Sequence, residues 1–159
     1  MTSTLYVDNL IEKTSGNGVH VPGHVVQVQS AETTTVVIGG SQTGTLFDVG
    51  LSCNITPKFA TSKILVIVSL RLYTQKGCNS LARTLRDTTS IHSVARFGLS
   101  DEEGSQGDGG YYSVNVLDAP ATTSQITYKC QVGRSSGSNN WYAHIDGDKS
   151  TITLQEIAQ

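Results

Sequence analysis

From Ser30 onward, β-branched and aromatic residues alternate with Ser, Thr, Gln and Asn in short runs broken by glycine and proline. A two-residue period places successive side chains on opposite faces of an extended strand. The runs predicted as strands are Thr34–Ile38, Leu46–Ile55, Ile64–Tyr73, Leu81–Asp87, Ile91–Leu99, Tyr111–Leu117, Gln125–Val132, Asn140–Ile145 and Thr151–Ile157. The breaks fall at Gly39-Gly40, around Pro57, at Gly77, over Ser100–Gly110, at Ala119-Pro120, over Gly133–Ser138 and at Gly147-Asp148. Lys63–Tyr73, KILVIVSLRLY, is the most apolar of these runs. It is too short for a membrane-spanning helix, which needs about 20 apolar residues. Its β-branched content predicts a strand buried on both faces. Ser80–Arg86 is the one stretch open to either a strand or a helix. Short strands at near-regular spacing predict an all-β, jelly-roll-like β-sandwich over residues 30–159.

Residues 1–29 read differently. Leu5, Val7, Leu10 and Ile11 are apolar, a glycine turn follows at Gly16-Asn17-Gly18, and Val25–Gln29 resumes the alternation. So short a segment cannot bury its own apolar side chains, so it reads as an extended N-terminal arm. The arm is expected to lie on the main body or on another subunit.

Composition narrows the function. The chain has 159 residues, 37% hydrophobic and 15% charged, with a net charge of −2. It is long enough for one domain with a real core. Arg83, Arg86 and Arg96 are the nearest thing to a basic cluster, and they are spread over two strands, so no nucleic-acid partner is expected. Met1–Leu10 lacks the basic start and apolar core of a signal peptide, and no membrane association is expected. The Asn54-Ile55-Thr56 sequon therefore reads as accidental. Cys53, Cys78 and Cys130 are odd in number and have no CxxC spacing, which argues against a disulfide framework and against zinc; Cys53 and Cys130 lie in strand-like runs, where a free Cys behaves as a small hydrophobe.

Candidate chemistry is sparse. Gly133-Arg134-Ser135-Ser136-Gly137 matches G-x-S-x-G, but no helix pattern follows it as a nucleophile elbow requires, so it reads as a flexible hairpin loop. Asp101-Glu102-Glu103 with Asp108, and Asp146 with Asp148, miss the EF-hand spacing and read as solvated loops, calcium being the minor reading. His20 and His24 flank Pro22-Gly23 and cannot share a helical face; a ring of them about a symmetry axis is the sharper reading and a solvated edge the plainer one. Tyr111-Tyr112 and Trp141-Tyr142 lie beside glycine-rich loops, where aromatics stack on sugars or fill subunit contacts. Neighbours in a strand face opposite ways, so one of each pair is expected in the core. No enzyme activity, cofactor or metal is expected.

Ser3–Val19, STLYVDNLIEKTSGNGV, with Pro22–Val28, resembles the opening of virion structural and tail-fibre proteins of cyanobacterial and marine phages. Ile55-Thr56-Pro57 with Ala60–Val66 resembles their main-domain strand, and Ser124–Lys129 and Ser150–Ala158 resemble their closing strands. The resemblance covers nearly the whole chain, and its motifs are architectural. It implies a homotrimeric particle protein, made in the host cytoplasm and carried on the virion surface. Its partners would be its own copies, the major capsid protein or tail proteins, and in one version a host glycan. The lack of a fibre shaft favours a head decoration or cement protein over a short fibre tip. Leu5, Val7, Leu10 and Ile11 are the expected arm anchors.

Overall fold

The computed structural model describes residues 6–14, 19–40, 42–97 and 107–159, with the side chains of 95–97 left aside. Its strands are β1 (Val25–Thr33), β2 (Val37–Gly39), β3 (Leu46–Ile55), β4 (Lys63–Thr74), β5 (Cys78–Arg86), β6 (Thr89–Phe97), β7 (Asp108–Asp118), β8 (Ile126–Gly137), β9 (Trp141–Ala143) and β10 (Ser150–Ile157). One sheet runs β1-β10-β4-β7, with β9 and β2 continuing beside the far end of β4. The other sheet runs β3-β8-β5-β6. All pairs are antiparallel, and they are nested: β1 with β10, β3 with β8, β4 with β7, β5 with β6. That nesting, folded into two facing sheets, is a jelly roll. Among the described residues, no helix is long and apolar enough to cross a membrane.

Alternation builds the core. Val49, Leu51, Cys53 and Ile55 of β3 face Ile64, Val66, Val68, Leu70 and Leu72 of β4, with Val114, Tyr128, Val132, Ile152 and Leu154 between and around them. The three cysteines are free and buried within this layer. Burial pushes the Cys130 thiol up to about 12, despite a hydrogen bond with Thr84 that pulls it down.

Several sequence expectations change. β4 was expected to be buried on both faces, but it alternates buried and half-buried, because only one of its faces meets the second sheet. β1 crosses position 29, so the strand Val25–Thr33 joins the body by pairing with β10. Ser80–Arg86 is a strand, held between β6 and β8. Gly133–Gly137 is not a flexible loop: it is the end of β8, paired with Cys78–Leu81. The strand expected over Asn140–Ile145 shrinks to Trp141–Ala143, since His144 and Asp146 take left-handed backbone conformations.

Candidate functional site

Two surfaces of this molecule leave large apolar side chains exposed: the arm and the outer face of the β1-β10-β4-β7 sheet.

The arm is seated at one end of the sandwich. Val21-Pro22-Gly23-His24 forms a tight turn in which the His24 N–H donates to the Val21 carbonyl at 3.0 Å. Pro22 presets one central residue, and Gly23 supplies the positive φ of 82° that the next requires. The Gly23 N–H donates to the Ala158 carbonyl, and the Ala158 N–H returns to His24, extending the β1–β10 ladder into the turn. His20 packs edge-on against Phe59, with ring centroids 4.8 Å apart. So His20 lies against its own chain, on a solvated edge.

Beneath this seat lies Glu156, fully buried on the core-facing side of β10. Its carboxylate accepts the Gln27 side-chain amide at 2.6 Å, the Lys58 N–H at 2.8 Å and the Phe59 N–H at 3.1 Å. The same Gln27 amide donates to the Thr56 carbonyl. Burial raises the Glu156 carboxyl, but the bonds from Gln27, Lys58 and Phe59 outweigh it and hold the group below its ordinary value. Gln27 can reach inward because the β1–β10 register shifts between Val25 and Gln27.

Beyond the seat the arm is bare. Tyr6, Val7, Leu10 and Ile11 are 91%, 57%, 63% and 81% exposed. Leu10 and Ile11 line an open concavity with Glu12, Val19 and His24. Leu5, the fourth expected anchor, lies outside the described residues, as do Asp101-Glu102-Glu103.

The outer sheet face has two chemically different ends. Near the arm, cross-strand register lines up Val28, Gln155, Leu65 and Leu117, and Ile67 follows one step along β4. Val28 and Leu117 are about half exposed. A polar row of Glu32, Thr151, Ser69 and Ser113 separates this apolar end from an aromatic one. There Ile38, Tyr142 and Tyr73 align on β2, β9 and β4, and Arg71 stands opposite Tyr111.

The four aromatic residues singled out in the sequence divide as their strands dictate. Tyr112 and Trp141 are buried, which removes both from any surface site, whereas Tyr111 is exposed and Tyr142 half-buried. Tyr112 joins the sheets instead: its phenol hydrogen-bonds with Thr84 at 3.1 Å and with His92 at 3.0 Å. Burial raises that phenol to about 12.

Other buried polar groups are also structural. The Val49 carbonyl can only accept, so His144 Nε2–H donates to it at 2.8 Å, while Nδ1 hydrogen-bonds with Ser150 Oγ at 2.7 Å and Oγ also accepts the Arg71 N–H. This His–Ser pair resembles part of a catalytic triad, but both residues are sealed from solvent. Ser135 of the G-x-S-x-G match donates to the Asn79 carbonyl within the sheet. Asp148 pairs with Arg71 at 3.0 Å. Among the described residues, no cluster of His, Cys, Asp and Glu could hold a metal. Sequence reasoning missed Glu156, His144 and Tyr73. The one available signal was a carboxylate at the end of the alternating run Ser150, Ile152, Leu154, Glu156.

No family model matches the chain, and no curated protein matches it in sequence. Solved structures do match in shape. The VP2 subviral particle of infectious bursal disease virus superposes with a TM-score of 0.51 at 13% identity, covering 84% of this chain and 34% of that one. The shared element is the jelly roll. Structures of the Gx strain and of T=1 particles of the same virus give TM-scores of 0.47 and 0.46 at 14% identity, covering 98% and 95% of this chain. These neighbours are viral capsid proteins, and this chain spans about a third of the VP2 chain.

Proposed function

We propose that this chain is a non-enzymatic structural protein on the surface of a phage particle, a homotrimeric decoration or cement protein of the head. The observation that carries this reading is the arm. Its base is fixed by Glu156 and by the Gly23–Ala158 ladder, while Val7, Leu10 and Ile11 find no cover on their own body. Burying a Val, Leu or Ile side chain is worth about 1.5–3 kcal/mol, so three of them reward a neighbouring subunit that covers them. The half-exposed row of Val28, Leu65 and Leu117 on the same sandwich is a second uncovered apolar surface. Small contacts of this kind, repeated in a trimer and over a shell, add through multivalency. The jelly-roll likeness to a particle-forming capsid protein supports the same reading.

The aromatic end of the outer face favours a second reading, a short tail-fibre tip that binds a host surface glycan. Copy number per purified particle, measured against the major shell protein, separates the two. Hundreds of copies support decoration; a few tens or fewer support the fibre tip. Absence from the particle overturns both.

A further inference from the structure

We propose that Tyr73, Tyr142 and Tyr111, with Arg71 and Asp148, form a binding platform for a neutral oligosaccharide. Tyr73 and Tyr142 lie 5.8 Å apart, centroid to centroid. Ile38, about three-fifths exposed, extends their row on the next strand. Three adjacent strands give this row a length of about 10 Å, the span of two linked pyranose rings.

Glycine makes room for Tyr73 and Arg71, and the Tyr73 and Tyr142 rings stand at 58° to each other, as two walls of a shallow cleft. Gly109 stands opposite Tyr73 on β7, and a Cβ there would meet Arg71 Nη1 at 2.9 Å and Tyr73 Cδ2 at 3.3 Å. A Cβ on Gly107 would enter the Tyr73 ring and the Thr74 carbonyl. Both glycines therefore let the phenol ring and the guanidinium lie down along the strand. Covering glycine backbone accounts for one face of Tyr73. Tyr142 and Tyr111 are not among the atoms that come nearest to these two positions.

Polar groups stand where sugar hydroxyls need them. Arg71 lies over the Tyr111 ring with its Cζ 5.6 Å from the centroid, and its Nε is fixed by Asp148 Oδ2. Arg71 Nη1 is spent on the Leu72 and Gly110 carbonyls. Arg71 Nη2 and Asp148 Oδ1 make no hydrogen bond among the described residues, which leaves a planar donor beside an acceptor. The pair is electrically balanced, so it suits hydroxyls better than a carboxylate or phosphate. Ser69 and Ser113 add hydroxyls along the inner margin. Aromatic rings matched to C–H faces, with flanking donor and acceptor, fit a sugar. The apolar Val28–Leu65–Leu117 end of the same sheet lacks them and fits protein.

The platform deepens the glycan-binding reading above and rests on it for its ligand class, and its test uses the free protein. NMR titration of the full chain with maltotriose, cellotriose, chitotriose and galactobiose should shift signals of Tyr73, Tyr111 and Tyr142 with at least one sugar. Tyr142→Ala and Tyr111→Ala should each weaken that binding about tenfold. Leu117→Ser, on the same face, should leave it unchanged. The inference is overturned if no sugar shifts these signals, or if both tyrosine variants bind as wild type. It is equally overturned if the tyrosine variants lower the oligomeric state, which would make the platform a subunit contact. None of these outcomes bears on particle copy number, so decoration stands or falls separately.

Discussion

The side-chain amide of Gln27 donates to the buried carboxylate of Glu156 at 2.6 Å, and through this bond the root of the arm is joined to the last strand. The carboxylate is held below its ordinary value in the folded state. Such a group adds stability above its unfolded value, and that contribution is lost as pH falls through the folded value. Stability should therefore drop on acidification below about pH 4.3, the ordinary carboxylate range. Glu156→Gln brings a second donor toward the Lys58 and Phe59 N–H groups and should cost about 1–3 kcal/mol at pH 7. Urea unfolding across pH 3 to 7 tests both points. A variant whose acid branch is as steep as wild type would show that another group sets the slope.

Gly39 gives a second, sharper expectation. A Cβ on Gly39 would enter the six-membered ring of the Trp141 indole, which is itself buried. Trp141 cannot retreat, because β9 is held by β4 on one side and β2 on the other. Gly39→Ala should destabilise by about 1–3 kcal/mol through overpacking. Gly44→Ala, with open space around its Cβ but a positive φ, is the contrasting case, with backbone strain alone. Thermal unfolding that ranks Gly39→Ala no lower than wild type would mean that β2 shifts freely.

These two sites also mark what could be read in the sequence. The period-two runs predicted the strands around the core well, β3 and β4 above all. They could do so because alternation is fixed locally by the pleat. Gln27 turning inward was not legible, since it depends on a register shift against β10, 129 residues away. Likewise nothing in His144 announces a left-handed residue or a buried bond to Val49. β4 is the instructive disagreement. Its sequence is apolar enough for two buried faces, yet Leu65 and Ile67 are only half covered in the single chain. The excess leaves an apolar stripe on the outer face of the sheet.

Asp118 should prove the strongest polar tie between the sheets. From β7 it accepts both Arg86 Nη1, at 2.7 Å, and the Tyr128 hydroxyl, at 2.7 Å, from the opposite sheet. Its side chain is 13% exposed, and burial foremost, followed by the Asp118 carboxylate, raises the Tyr128 phenol. Asp118→Ala strands both partners and should cost about 1–3 kcal/mol. Tyr128→Phe removes one bond and should cost about 1 kcal/mol. Chemical denaturation of the two single variants and the double variant checks whether the effects are coupled. Strict additivity would mean the groups do not act as one network.

The arm makes the decisive functional prediction. Deleting residues 1–18 leaves the turn at Pro22, the Gly23–Ala158 ladder and the Glu156 bonds in place. The truncated chain should therefore fold, with the far-ultraviolet circular dichroism and urea midpoint of the full chain. Its attachment to particles should be lost, because the deletion removes Val7, Leu10 and Ile11. Leu10→Ser with Ile11→Ser should weaken attachment in the same direction without removing chain, which separates side-chain burial from mere length. Cosedimentation with particles stripped of this protein gives the readout. A truncated chain that still decorates them would transfer the anchoring role to the Val28–Leu65–Leu117 row. Leu117→Ser would then be the variant that detaches it.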